Sequence, residues 1–92
     1  MEQYQPISCD LHDYLEIACM HHYRLQIETT DGELFAAEAL TIMTTADQQE
    51  FLLLEGADGQ LEIRLDRLLA ITALQPHASF GRVELNPERR LH

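Results

Sequence analysis

The chain has 92 residues, of which 46% are apolar, and its 16 acidic side chains stand against six arginines and no lysine, for a formal net charge of −10. This length fits one domain with a small core, and the apolar fraction is typical of a folded globule rather than an acidic disordered tail. So negative a surface repels phosphate backbones and anionic lipid headgroups and favours partners with basic grooves.

The acidity is concentrated in residues 1–62, which contain thirteen carboxylates and one basic side chain, Arg24. The sequence shows no signal-peptide pattern and no long apolar run. We therefore expect a cytoplasmic protein without a membrane partner.

The pattern predicts a single domain, 1–92, made of four segments. They are an extended arm at 1–9, a helix at 10–22, a barrel at 23–75 and a C-terminal extension at 76–92.

The helix is predicted to begin at Asp10, a favourable N-cap residue, and to have its regular part at 11–20. A projection at 100° per residue places Asp13, Glu16 and Met20 on one side. The opposite side, expected to face the core, holds Leu11, Tyr14, Leu15, Ala18 and Cys19. An outward face that mixes acids with apolar atoms suits docking to a protein, although simple solvation is the commoner role of such a face.

After residue 22 the hydrophobic period changes to two, which predicts strands. Asp-Gly pairs at 31–32 and 58–59 predict two-residue hairpin turns. The strands are expected, in chain order, at 23–30, 33–40 or beyond, 51–54, 60–66, 69–74 and 80–85, with a short turn at 66–68 before the fifth. Short antiparallel strands commonly hide their edges by closing into a barrel. The expected fold is therefore mostly β: a small antiparallel barrel of five or six strands with one N-terminal α-helix.

Two of these strands carry explicit burial predictions. The apolar run at 51–54 predicts a strand buried on both faces. The strict alternation at 60–66 predicts a half-buried strand whose polar residues, including Arg64 and Asp66, face away from the core.

Several potential metal ligands fall close together, namely Cys9, His12, Cys19, His21 and His22. His12 and Glu16 form a workable i,i+4 ligand pair. However, His12 and Cys19 lie about 10 Å apart along the helix axis, whereas structural zinc needs four convergent ligands. We expect no metal, no other cofactor and reduced cysteines.

Catalysis is not expected either, because Ser8 and Ser79 are the only serines and neither lies in a nucleophile-elbow pattern. RNA binding stays open as a second hypothesis, since small barrels can bind single strands through aromatic and basic side chains. Arg64, Arg67 and Arg82 are the candidates for a local basic patch. A third possibility is a subunit of a ring assembled strand edge to strand edge.

The segments 4–10 (YQPISCD) and 15–22 (LEIACMHH) resemble the N-terminal signature of the Rof family, the Rho-binding antiterminators of bacteria. The turn at 31–33 and the strand at 62–66 fit the same family, and the resemblance extends over roughly residues 4–75. It implies an Sm-like barrel with an N-terminal helix. Nothing is transferred to the C-terminal part.

The resemblance also implies binding to transcription termination factor Rho, a hexameric RNA-dependent ATPase. By this resemblance, the protein covers Rho's primary RNA-binding site and blocks RNA loading, which gives antitermination. The charge pattern alone predicts only the class of partner, a protein with a cationic nucleic-acid groove. We expect a monomeric inhibitor that does not bind nucleic acid directly; the alternative is an Sm-like RNA-binding module. The expected contacts are Asp10, Asp13 and Glu16, supported by Tyr4, Ser8 and Ile17.

Overall fold

The computed structural model describes residues 6–86. Its elements are α1 (Cys9–Met20), β1 (Arg24–Thr29), β2 (Leu34–Thr44), β3 (Glu50–Gly56), β4 (Gly59–Arg64), a 3₁₀ turn (Leu65–Arg67), β5 (Leu68–Ala73) and β6 (Arg82–Glu84). The predicted mostly-β class with one N-terminal helix is confirmed. No helix within 6–86 has the length and apolar character needed to cross a bilayer.

The six strands form one antiparallel sheet in the order β4-β3-β2-β1-β5-β6. The predicted closure into a barrel is wrong, because β4 and β6 are the two edges of an open sheet. Closure requires a last hydrogen-bonded seam, and a local alternation pattern does not specify whether that seam forms.

The open sheet is nevertheless strongly bent. Only residues 65–67 connect β4 to β5, and such a link spans at most about 14 Å. Four strand spacings separate β4 from β5 in the sheet order, which would be about 19 Å in a flat sheet. An irregularity in β2 between Ala39 and Thr41, and another in β1 between Glu28 and Thr29, provide places where the sheet can bend.

The helix and the sheet share one core. From α1 the core takes Leu15 and Ala18, both with no exposed surface, and the helix packs mainly against β2. The strands and the turn contribute Leu25, Ile27, Ala37, Ala39, Leu52, Leu54, Leu65, Leu68 and Ile71. Each fully buried leucine or isoleucine contributes about 1.5–3 kcal/mol of hydrophobic stabilisation. This packing holds α1 across the sheet and leaves its other side in solvent.

The first hairpin has a three-residue loop rather than the predicted two-residue turn. The Thr29 amide donates to the Glu33 carbonyl (3.0 Å), which leaves residues 30–32 in the loop. Of these residues only Gly32 has a positive φ, 95°, as in the common three-residue hairpin with glycine in the left-handed region. The Thr29 hydroxyl fixes the loop, since it donates to the Asp31 carboxylate and accepts from the Glu33 amide.

Burial also departs from the prediction in two strands. In β3, Phe51 and Leu53 are only partly buried, so this strand is not buried on both faces. Asp66, expected to face away from the core, is completely buried. The guanidinium of Arg64 donates to it twice, from Nε to Oδ1 (2.7 Å) and from Nη2 to Oδ2 (3.0 Å).

Asn86 ties the end of the described chain to the turn between β4 and β5. Its side chain is almost fully buried, and its amide donates to the carbonyl oxygens of Leu65 (3.0 Å) and Leu68 (2.6 Å). These two carbonyls lie at the start of the 3₁₀ turn and directly after it, so Asn86 joins the segment after β6 to the connection between β4 and β5.

Replacing Asn86 with alanine is expected to lower the free energy of unfolding by about 1–3 kcal/mol, because two main-chain carbonyls in the core each lose a donor. Urea denaturation measures the change. Gln60→Ala, at an exposed position of edge strand β4, is the control and should change stability by less than about 0.5 kcal/mol. An equally small loss in Asn86→Ala would contradict this role.

Candidate protein-interaction face

Helix α1 begins at Cys9, and its N-cap lies two residues before the predicted one. Ser8 occupies the cap position with an extended backbone, and its hydroxyl oxygen accepts a hydrogen bond from the Leu11 amide (3.4 Å). The prediction that Asp10 caps the helix is therefore wrong: Asp10 lies within the first turn. There its carboxylate still meets the positive end of the helix dipole. Because Ser8 caps the helix, replacing Asp10 would not remove a capping hydrogen bond.

The residues that the helical projection places outward are exposed as predicted, but Tyr14, expected to face the core, is exposed as well. Asp10, Asp13 and Glu16 are all exposed, and we call these three residues the acidic face. Successive members are three residues apart, so their Cβ atoms are about 5–6 Å from one another. Met20, which is 72% exposed, adds apolar surface one turn beyond Glu16. The arrangement offers a row of carboxylates next to an apolar side chain.

The three supporting residues are placed less uniformly. Ser8 is exposed but occupied as the helix cap, and Ile17 is half-buried at the border of the outward side. Tyr4 lies outside the described residues. The placement of these three residues does not test whether they contact a partner.

His12 connects the acidic face to the sheet. Its Nδ1 lies 2.8 Å from Oε2 of Glu16, and its Nε2 lies 3.0 Å from Oε2 of Glu50, the first residue of β3. The i,i+4 pair that the sequence offered as possible metal ligands is thus a hydrogen-bonded pair extended by a second carboxylate. Within residues 6–86, no three or more His, Cys, Asp or Glu side chains are grouped to hold a metal ion.

The surroundings of His12 favour its charged form. Partial burial would by itself lower the pKa of the imidazole, but the hydrogen bonds and negative charges of Glu16 and Glu50 outweigh it and raise that pKa above its usual value of 6.5. Cys19 lies in a groove that is also lined by His12, Glu16 and Glu50. Burial, assisted by the charge of Glu16, raises the pKa of its thiol to about 11, so this cysteine is a poor nucleophile at neutral pH. Both cysteines are free, and Cys9 is exposed.

The other two histidines near the end of α1 have separate contacts. His22 is hydrogen-bonded through Nδ1 to the Ala39 carbonyl (3.1 Å), and His21 stacks on Tyr23 with ring centroids 5.5 Å apart. These contacts hold the connection between α1 and β1 in place. The rings of His21 and His22 do not form a common site with His12.

The structure does not assemble the three arginines into a basic patch. Arg64 is paired with buried Asp66. Arg82, on edge strand β6, donates to Glu28 through two nitrogens (2.8 and 3.0 Å) and to Glu84 (3.2 Å).

The remaining arginine also lies among acids. Arg67 shares a pocket with Arg64, but Asp31, Glu33 and Glu62 line that pocket too. The hydrogen bond from the Thr29 hydroxyl is the main cause that lowers the pKa of Asp31, and the charge of Arg67 adds to it. This arrangement disfavours an RNA-binding surface built on arginine.

Glu50 is the residue of the site that the sequence did not reveal. It lies 38 positions from His12, and its contact with α1 depends on how the helix packs across β2 and β3. The only signal in the sequence was the His12–Glu16 spacing, which indicates a histidine directed along the outer edge of the helix.

Comparisons with known proteins agree with this fold. The family model described as "Modulator of Rho-dependent transcription termination (ROF)" matches residues 6–85. The chain is 38% identical over 82 residues to "Protein rof" of Escherichia coli (strain K12) and equally to that of Shigella flexneri, covering 89% of this chain and 92% of each relative.

A solved structure, "YaeO bound to Magnesium from Vibrio cholerae O395", superposes with a TM-score of 0.72 over 92% of this chain and 100% of that one. At 22% identity it shows a shared fold. The match of the family model over nearly the whole chain, together with the two relatives, settles the family: the chain belongs to the Rof family, the modulators of Rho-dependent transcription termination.

Proposed function

We propose that this protein binds Rho at the primary RNA-binding site, prevents RNA from loading and thereby opposes termination. It acts as a monomer and inhibits Rho by occupying this site. It has no catalytic step, cofactor, nucleic-acid ligand or membrane contact of its own. Family membership supports Rho as the partner. The observation that carries the mode of binding is the acidic face: Asp10, Asp13 and Glu16 lie exposed along one side of a single helix.

A row of carboxylates can occupy a groove that normally holds phosphates. The cations of such a groove attract any suitably spaced polyanion, and complementary charge speeds association and rejects unsuitable partners. The exposed Met20 provides apolar area beside the charges, which suits the aromatic surfaces on which RNA bases stack. The protein therefore imitates the chemistry of a nucleic-acid strand on a rigid helix.

The alternative, an Sm-like RNA-binding module, has less support. Arg64 and Arg82 are engaged by acids of the same molecule, and Arg67 lies in an acid-lined pocket. Together with a net charge of −10, these contacts oppose the approach of a phosphate backbone. A gel-shift assay with short single-stranded RNA and the isolated protein should show no retardation at micromolar concentrations.

Competition with RNA tests the proposal. We expect the protein to displace a labelled pyrimidine-rich RNA from Rho, and the concentration required should rise in proportion to the RNA added. Fluorescence anisotropy of the RNA measures the displacement. Binding at the primary site would be contradicted if the protein concentration needed for displacement did not depend on the RNA concentration. A ternary complex of RNA, Rho and the protein would also contradict it.

The same assay at several salt concentrations tests the role of charge. The affinity of the protein for Rho should fall steeply between about 0.05 and 0.2 M monovalent salt, since the Debye length shrinks to about 8 Å near 0.15 M. Binding should be measured here without RNA, because RNA binding is itself salt-dependent. A flat response would indicate an apolar interface.

A further inference from the structure

The position of His12 between two carboxylates favours a doubly protonated ring. A neutral imidazole has one N–H donor and one bare nitrogen. In the structure both ring nitrogens lie within hydrogen-bonding distance of carboxylate oxygens, 2.8 Å from Glu16 and 3.0 Å from Glu50. In a neutral ring one of these contacts would bring two acceptor lone pairs together. The observed geometry is satisfied when Nδ1–H donates to Glu16 and Nε2–H donates to Glu50.

The groove around His12 contains few other groups that titrate. Toward α1 it is lined by Glu16, Cys19 and Met20, and toward β3 by Glu50. The β2 residues of the groove are uncharged, namely Leu40, Thr41, Ile42 and Thr44. The Cys19 thiol stays neutral well above neutral pH. The charge of this part of the surface therefore changes, near neutral pH, through His12.

We propose that His12 is a proton-operated regulator of the acidic face: protonated, it holds Glu16 and Glu50 and offsets their charge, and deprotonated, it releases both carboxylates to a cationic partner. This inference rests on the proposed binding of Rho through the acidic face and adds its regulation. It also places Glu50, on β3, at the margin of the interaction surface.

The direction of the effect follows from linkage. Rho's cations and the protonated ring compete for the same carboxylates, so formation of the complex should release up to one proton from His12. Affinity then rises with pH by up to tenfold per pH unit through the range in which His12 titrates. The free protein shows the opposite trend in stability. Because folding raises the pKa of His12, its contribution to stability is complete below about pH 6.5 and is lost as pH rises through the folded-state pKa.

The free protein provides the first test. NMR titration of the histidine ring protons should show His12 losing its proton above pH 6.5, the usual pKa of an imidazole. His77 is exposed in the loop between β5 and β6. In urea, the midpoint of wild-type unfolding should exceed that of His12→Asn at pH 5.5, and the difference should shrink by pH 8. His77→Asn is the matched control and should leave the midpoint unchanged at both pH values. Loss of the His12 proton at or below pH 6.5 would overturn the proposal.

Binding to Rho provides the second test. The affinities of wild type and His12→Asn should be measured from pH 6 to pH 8, and their ratio taken at each pH so that titration of Rho itself cancels. The wild type should gain about three- to tenfold in affinity relative to His12→Asn over this range, below the ceiling of tenfold per pH unit, whereas the ratio for His77→Asn stays constant. A pH-independent ratio with intact Rho binding would overturn this inference alone. A complete absence of Rho binding would overturn the proposed function as well.

Discussion

Asp13→Lys is expected to weaken binding to Rho by about 30-fold or more while the protein remains folded. Asp13 is exposed at the centre of the acidic face, so its side chain makes little contribution to the core. Placing a cation there against a cationic groove replaces an attraction with a repulsion, which costs about 2 kcal/mol or more. Isothermal titration calorimetry with Rho measures the change, and circular dichroism confirms the fold.

The control for Asp13→Lys is Asp58→Lys, which changes the net charge by the same amount. Asp58 is exposed in the loop between β3 and β4, away from α1, and its reversal should reduce affinity only a few-fold through the general field. Equal losses in both variants would mean that net charge, and not the acidic face, determines binding. Glu16→Lys should also weaken binding strongly without unfolding the protein, but it breaks the hydrogen bond to His12 and is therefore a less selective test than Asp13→Lys.

Arg64→Leu is expected to destabilise the fold by about 3–5 kcal/mol, because it removes the guanidinium that donates twice to the fully buried carboxylate of Asp66. A domain of this size has a free energy of unfolding of about 5–14 kcal/mol, so the variant should be close to unfolding at 37 °C. Urea denaturation at 15 °C measures the loss.

The double variant Arg64→Leu/Asp66→Leu separates a lost charge pair from lost packing. Replacement of both members by apolar side chains should recover much of the stability, since a buried carboxylate that has lost its guanidinium partner is the main cost of the single change. If Arg64→Leu costs less than about 1 kcal/mol, or if the double variant is less stable than the single one, the pair does not have the role assigned to it here.

The elements of this fold were predictable because their signals are local. The helical projection of 11–20 placed Asp13 and Glu16 outward. Period-two segments, hairpin turns and the apolar run at 51–54 predicted five or six strands. The Ala-rich stretch at 36–39 favours either a helix or a strand by composition, but the preceding hairpin turn favours the strand, and β2 is observed there.

What escaped prediction depends on contacts between distant or turned residues. Alternation assigned Asp66 an outward position, but the 3₁₀ turn begins at Leu65 and ends the strand geometry on which that reasoning relied. Two further features depend on how elements far apart in sequence come together. They are the open edges of the sheet in place of a closed barrel, and the contact of Glu50 with His12. The candidate site was therefore predicted for its helical half and missed for the part contributed by the sheet.

Imitation of a polyanion by helix α1 is tested most directly by a cryo-electron microscopy structure of the protein bound to Rho. We predict that the carboxylates of Asp13 and Glu16 lie within about 4 Å of lysine or arginine nitrogens in the primary RNA-binding groove, the distance of an ion pair. If these two carboxylates instead face open solvent and contact is made through another surface of the sheet, imitation of a polyanion by helix α1 is contradicted.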